Sequence, residues 1–390
     1  MIQLLNYWRD QSTLFNYIKY RENDEALKHA NYKRQAMFQD EKGYTPLHMA
    51  CLNGAPLNLV EALLQVFPQA AILNNQYGSL PIHLCCKCVD QNSVSVLRAL
   101  LSEYPSTAFE FKKDENLTSF QILVRWNEAD IYHALSTPQN VVLRFAWDPQ
   151  LRICWSKACI LIKACFGITK GGPLQDEDLE TNLLHMFVEG SSRQDMRCPQ
   201  CLIHLATIIS PHQLQERDKF GNLPLHIAAQ NSVRILRQTG CQSTNDLEIS
   251  ITTTSFKDIE IIAFLAKLYP GAKEVYNKNG ELPIHMALNA IKEIQFYKTS
   301  QQTMFPIIWE RIVLPLISLN CDEVFATGAQ KGLLPFMLCF SFPCDEHTPA
   351  PSTLLLQLNL SFSLLRHYPH VLERFINISE SLQTSEHLLA

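Results

Sequence analysis

One short pattern, first met as DEKGYTPLHMA from Asp40 to Ala50, returns along the chain in altered form. It reappears as NQYGSLPIHLC from Asn75, DKFGNLPLHIA from Asp218, NKNGELPIHMA from Asn277 and AQKGLLPFMLC from Ala329, with weaker copies DENLTSFQIL from Asp114 and TNLLHMF from Thr181. A second pattern lies downstream of the first. Leu59, Val60, Leu63, Leu64 and Phe67 precede Pro68, and the same offsets give Val96, Leu97, Leu100, Leu101 and Tyr104 before Pro105. They recur at Ile261, Ile262, Leu265, Ala266 and Tyr269 before Pro270, at Leu360, Ser361, Leu364, Leu365 and Tyr368 before Pro369, and in part at Leu202, Ile203 and Ala206 before Pro211. These offsets form one stripe on a helix of 3.6 residues per turn, and the proline that follows cannot continue it. Proline suits the opening position of a helix, and Thr45 can cap the helix that Pro46 begins. The chain reads as tandem helix pairs, in which each pair buries its stripe against the next.

Composition agrees with such an array. Only 13 of the 390 residues are glycine, and five of these, Gly43, Gly78, Gly221, Gly280 and Gly332, stand at one place in the pattern, where a turn of positive φ is expected. Nearly half the chain is apolar and 18% is charged, which provides a core and excludes general disorder. A net charge of -5 and a pI near 6.2 supply no basic stripe for nucleic acid. The odd count of 13 cysteines, irregularly spaced, does not make a secreted disulfide framework and suggests an intracellular protein of cytoplasm or nucleus. The N-terminal apolar stretch is broken at Asn6, Arg9 and Asp10, unlike a signal peptide. The runs CILIKACFGI and FPIIWERIVLPLISL are interrupted by Lys163 and by Glu310 and Arg311, so no membrane span is expected and the protein is read as soluble.

Loop, glycine, TPLHxA helix, turn and second helix, at a repeat length of about 33 residues, resemble the ankyrin repeat from about Asp40 to Tyr368, with insertions. The Leu-Pro variant, the aromatic-Pro helix end and the GLLPFMLC copy are similar to divergent ankyrin families of unicellular algae. The resemblance implies an all-α fold, an ankyrin-repeat α-solenoid with divergent repeats, helical caps and loop insertions. It also implies that the motif histidines His48, His83, His185, His226 and His285 bond backbone groups of neighbouring loops and tie one unit to the next. The family's threonine, present as Thr45, is replaced by Leu80, Leu223, Leu282 and Leu334, which removes its side-chain cap and its bond to the histidine. Gln121 and Met337 replace the histidine itself, so those two units are expected to be looser or differently closed.

Catalytic patterns are missing: there is no G-x-S-x-G, H-E-x-x-H or Walker loop, and the chain is read as no enzyme. Cys85, Cys86 and Cys88 near His83, and Cys198 and Cys201 near His204, each contain a Cys-x-x-Cys pair, but no second pair stands at zinc-finger spacing. No metal and no cofactor are expected. The alternative reading is a thiol-redox or metal-binding enzyme centred on Cys198 and Cys201, although CPQC aligns with an inter-helix turn and lacks thioredoxin-like strand context.

The expected layout is an N-terminal helical cap at 1–39, a first repeat block at 40–134, a bridging helical segment and acidic loop at 135–180, a second block with long insertions at 181–376, and a tail at 377–390. Stacked helix pairs create a concave face, which suits a non-catalytic adaptor or scaffold whose partner is another protein. The resemblance points to positions flanking the loop glycine: Glu41, Lys42 and Tyr44; Gln76, Tyr77 and Ser79; Lys219, Phe220 and Asn222; Lys278, Asn279 and Glu281. Tyr44, Tyr77 and Phe220 are the stronger anchors, because aromatic rings offer large and rigid contact area.

Overall fold

The computed structural model describes residues 12–136, 141–167, 182–193, 196, 198–239, 256–292, 301–317 and 351–367. The copy from Ala329, with Gly332, Leu334 and Met337, lies outside the described residues. So do Thr181, the acidic loop GGPLQDEDLE, most of the polar insertions RQTGCQSTNDLEISITTTSF and CDEHTPAPST, and the tail 377–390. The chain divides into two compact units, Met1–Pro211 and His212–Ala390.

In the first unit three short helices, α1 (Thr13–Lys19), α2 (Asn23–His29) and α3 (Lys33–Ala36), precede the first full motif. Each motif then starts a helix at its proline. The pairs are α4 (Pro46–Asn53) with α5 (Leu57–Val66), and α6 (Pro81–Lys87) with α7 (Asn92–Glu103). Thr45 is extended and its hydroxyl accepts from the His48 backbone N–H, closing the start of α4. At the far end of each pair an aromatic residue leaves helical geometry: Phe67 has φ -142° and Tyr104 has φ -136°. The proline after it opens a 3₁₀ turn, Pro68–Ile72 and Pro105–Ala108, which carries the chain to the next loop.

Helices of this length are marginal alone, so packing must hold them. The stripe residues Leu59, Val60, Leu63 and Leu64 of α5 and Val96, Leu97, Leu100 and Leu101 of α7 are all buried. Each such side chain contributes roughly 1.5–3 kcal/mol over its exposed state. First helices meet first helices, α4 against α6, while α5 lies against α7. Ahead of the motif, α1 packs on α4 and α2 on α5 in the same manner.

The third copy departs from the pattern. Its loop is a hairpin of two short antiparallel strands, β1 (Phe111–Lys112) and β2 (Leu117–Thr118), the one sheet among the described residues of an otherwise helical fold. Asn116, at φ 50°, takes the left-handed position that glycine holds elsewhere. Thr118 opens α8 (Ser119–Leu135), and Gln121 Oε1 accepts from Thr118 N at 3.0 Å, an acceptor standing where a histidine nitrogen stands in other copies. After α9 (Val141–Trp147), α10 (Pro149–Cys165) packs on α7 and α8. In the following pair, α11 (Leu183–Ser191) meets α10, whereas α12 (Gln200–Ile209) meets α8, so the first-on-first order ends here.

The second unit repeats the principle with α13 (Pro224–Thr239), α14 (Phe256–Leu268) and α15 (Pro283–Lys292). α13 packs on α15 and α14, and Ile261, Ile262, Leu265 and Ala266 are buried. Tyr269 ends the regular geometry before the 3₁₀ turn Pro270–Glu274. α16 (Gln301–Ile308) contains Pro306, and a π turn at Trp309–Val313 leads into α17 (Leu314–Leu316). Proline's missing N–H removes a ladder bond there, and the widened turn follows it. α18 (Pro351–His367) packs on α16. Among the described residues no helix is long and apolar enough to cross a membrane.

One polar tie in the first unit stands out. Lys157 of α10 is only 1% exposed, yet its ammonium donates to the carbonyls of Cys85, at 2.7 Å, and Cys88. It satisfies acceptors at the C-terminal end of α6, where the helix dipole also favours a cation. Lys157→Met, which keeps the volume and removes the donor, is expected to cost about 1–3 kcal/mol in urea unfolding of the full chain. An unchanged unfolding midpoint would contradict this role.

Candidate functional site

The loops that enter the first helices share one construction, set by their opening residue. Asp40 Oδ1 accepts from the backbone N–H of Lys42 at 3.0 Å and of Tyr44 at 2.7 Å. Asn75 does the same for Tyr77 and Ser79, Asp218 for Phe220 and Asn222, and Asn277 for Asn279 and Glu281. A short acceptor side chain folding back two residues along its own loop is the ordinary chemistry of Asp and Asn in turns. The sequence reading gave these four residues no role, although an Asp or Asn three residues before Gly43, Gly78, Gly221 and Gly280 was the available signal.

Glycine serves two ends in this loop. Gly78 has φ 64° and Gly221 φ 80°, and a Cβ on either would come within 2.9 Å of the next loop's backbone, at Lys113 N and Lys278 N. The absent side chain lets successive loops bond to each other: Gln76 N donates to Lys42 O at 3.0 Å, and Lys278 N to Phe220 O at 2.9 Å.

Beneath these loops lie the motif histidines. Nδ1 of His48, His83, His226 and His285 accepts from the backbone N–H of Thr45, Leu80, Leu223 and Leu282, at 3.0 to 3.2 Å. That acceptor role fixes the neutral tautomer with its proton on Nε2. Nε2 then donates to the next loop: His48 to Ser79 O and His83 to Glu110 O at 3.1 Å, and His226 to Glu281 O at 3.2 Å. Thr45 adds a hydroxyl contact to His48 Nδ1 at 2.8 Å. The leucine copies lose that contact and keep the backbone one. Burial holds all four imidazoles down at about 4. His185 is also buried, in α11.

The loop tips stand over a groove of about 900 Å³ in the first unit. Phe15 of α1, Phe38, Tyr44 and Tyr77 line it, with Met49 and Leu52 of α4. Phe15 and Phe38 meet edge to face at 5.4 Å, and Tyr44 sets its ring edge-on to Tyr77 at 6.3 Å and to His48 at 5.9 Å. Glu41 and Lys42 also line the groove and are exposed, as is Gln76 at the next tip. In the second unit Lys219, Phe220, Lys278 and Asn279 are exposed, and Lys219 Nζ lies 4.9 Å from the Phe220 ring centroid.

Two candidates drawn from the sequence need correction. Ser79 and Asn222 are buried, because the residue after the glycine turns inward in the loop stack. Ser79 gives its carbonyl to His48, and Asn222 bonds Asp218 and receives Asn277 Nδ2 at 3.0 Å, so neither side chain is offered to a partner. Glu281, at the same position, is half-buried and receives Asn277 Nδ2 and Asn289 Nδ2. Tyr44 is half-buried there too, with its ring in the groove.

Among the described cysteines all but Cys88 are buried. Cys198 and Cys201 are each 1% exposed. Burial pushes the Cys85 and Cys154 thiols up to about 12, and those of Cys51 and Cys86 upward as well, which disfavours the nucleophilic thiolate at neutral pH. Among the described residues no group of three His, Cys, Asp or Glu side chains could hold a metal ion.

Comparison with known families places this geometry. Residues 14–114 match the family described as ankyrin repeats, in three copies. The match opens inside the segment read from the sequence as a cap and takes in α1 and α2. No curated protein matches the chain.

The depressed histidines make stability depend on pH with a definite sign. An unfolded imidazole takes up a proton near pH 6.5, whereas the buried ones resist until about 4, so stability is full above 6.5 and falls as pH drops from there toward 4. The urea midpoint of the full chain is expected to fall steadily across that interval. His48→Ala leaves Ser79 O and Thr45 N without their partner, and is expected to cost about 2–3 kcal/mol at pH 7 and to flatten the profile. A flat profile for the unaltered chain would contradict the assignment.

Proposed function

Since the chain is an ankyrin-repeat protein, we propose that it is a non-catalytic adaptor or scaffold that holds a partner protein against its loop tips and the groove beside them. Ankyrin repeats generally mediate protein–protein interaction, and proteins built from them are typically non-enzymatic. The observation that carries the proposal is the groove: four aromatic rings, Met49 and Leu52 brought together among polar and charged side chains at a site open to solvent. Tyr77 is 39% exposed and Leu52 38% exposed. Their backbone frame is fixed by side-chain-to-backbone and loop-to-loop bonds, so little order would be lost when a partner docks.

Rigid aromatic anchors in a pocket typically dominate such interfaces. The second-unit residues Phe220, Lys219, Lys278 and Asn279 extend the proposal as a further set of exposed loop tips.

The test is affinity capture with the unaltered chain and with a Tyr77→Ala, Leu52→Asp double variant. Both positions are exposed, so the variant is expected to fold with its melting temperature nearly unchanged. A loss of about 1.4 kcal/mol or more, a tenfold or greater fall in affinity, is the expected result. Undiminished recovery by a folded double variant would reject the groove as the binding face.

A further inference from the structure

Along the same helix register the face changes from apolar to cationic. Thr45, Leu80 and Thr118 precede α4, α6 and α8, and Leu52, Lys87 and Arg125 lie at one and the same step beyond them. Lys87 and Arg125 converge on Glu115, in the hairpin between β1 and β2. Glu115 Oε1 pairs with Lys112 and lies 3.9 Å from Lys87 Nζ, while Oε2 lies 3.7 Å from Arg125 Nη1. One carboxylate therefore faces three cations.

Lys112 takes up most of that charge, because its ammonium hydrogen-bonds the carboxylate and its side chain is only 9% exposed. Lys87 and Arg125 stand beyond hydrogen-bonding distance of Glu115 and keep donors for another acceptor. Lys113 and Asp114, both exposed in the same hairpin, offset one another. Burial and the neighbouring Lys112 hold Lys87 below the usual lysine range, against the pull of Glu115. Beside the cations, Trp126 is 60% exposed, with Lys87 Nζ 5.0 Å from its ring centroid. A local excess of positive charge in a chain whose net charge is -5, joined to an uncovered indole, is complementary to an anion that also carries apolar surface.

We propose that Lys87, Arg125 and Trp126, around Glu115, dock an acidic segment of the partner protein, its carboxylates on the two cations and its apolar side chains on Trp126 and in the adjoining groove. The proposal rests on the reading of this face as a protein-recognition surface. An arginine fork suits a carboxylate, whose two oxygens it can meet together. Two cations that share one carboxylate with Lys112, and one indole beside them, fit a peptide better than a nucleic acid strand, which needs a longer basic track.

The test uses the purified full chain to select from a displayed library of random peptides, followed by titration of the enriched peptides in synthetic form. They are titrated against the unaltered chain, against Lys87→Gln with Arg125→Gln, against Tyr77→Ala with Leu52→Asp, and against the charge-matched control Lys267→Gln with Arg366→Gln. The expected result is enrichment of Asp and Glu beside an aromatic or aliphatic residue. Affinity is expected to fall about tenfold or more in the first double variant and on raising salt, with the control unaffected and the melting temperature unchanged. Peptides without carboxylates, sensitive to Tyr77→Ala with Leu52→Asp and indifferent to loss of the two cations, would overturn the acidic partner while leaving the groove reading intact. No enrichment, or binding indifferent to both double variants, would overturn both. Tighter binding of inorganic phosphate or of a short single-stranded oligonucleotide at Lys87 and Arg125 would overturn the choice of a peptide.

Discussion

The stack of loops depends on one bond, from a buried histidine to the carbonyl of the following loop. Its direction is decided within the residue's own unit. The backbone N–H of Thr45, Leu80 or Leu223 occupies Nδ1, so the proton must sit on Nε2, and Nε2 faces the next unit. The buried ring has both nitrogens satisfied in His48, His83 and His226, which is why a polar group can be tolerated at a position that is 0% exposed in each. A His in a Pro-Leu-His context is thus a spacer, with a donor at one end and an acceptor at the other.

That bond works only because the loops are already shaped. Asp40, Asn75, Asp218 and Asn277 close their turns on themselves, glycine lets one loop approach the next, and the histidine fastens the pair from below. Stability in such an array is a matter of neighbours, so side chains at the loop tips and on the outward side of the first helices are released from the fold. In the first unit these released positions hold Tyr77, Leu52 and Trp126 together with Lys87 and Arg125. The fold accounts for the backbone beneath them, and the proposed recognition would use their side chains.

Much of this was legible in the sequence, for reasons that differ by element. The helix stripes were readable because a 3.6-residue period has few other causes, and the glycines because scarcity made their common position conspicuous. The inward turn of Ser79 and Asn222 was not readable: a loop of a few residues has no period, and which side chain faces the stack follows from bonds between loops far apart in sequence. α1 and α2 stack like the later pairs without the Gly-x-Leu-Pro signature, since packing asks for an apolar stripe and shape, and the signature belongs to the loop. The meeting of Lys87, Lys112 and Arg125 at Glu115 was hidden for the same cause, being assembled from two helices and a hairpin.

The most direct test of the account is nitrogen-15 NMR of the imidazoles in the full chain at pH 6. The account predicts that His48, His83 and His226 are neutral, protonated on Nε2, and slow to exchange that proton with water. Charged rings at that pH, a proton on Nδ1, or rapid exchange would show that the loops are not fastened in this way, and the proposed recognition face would fall with the bond.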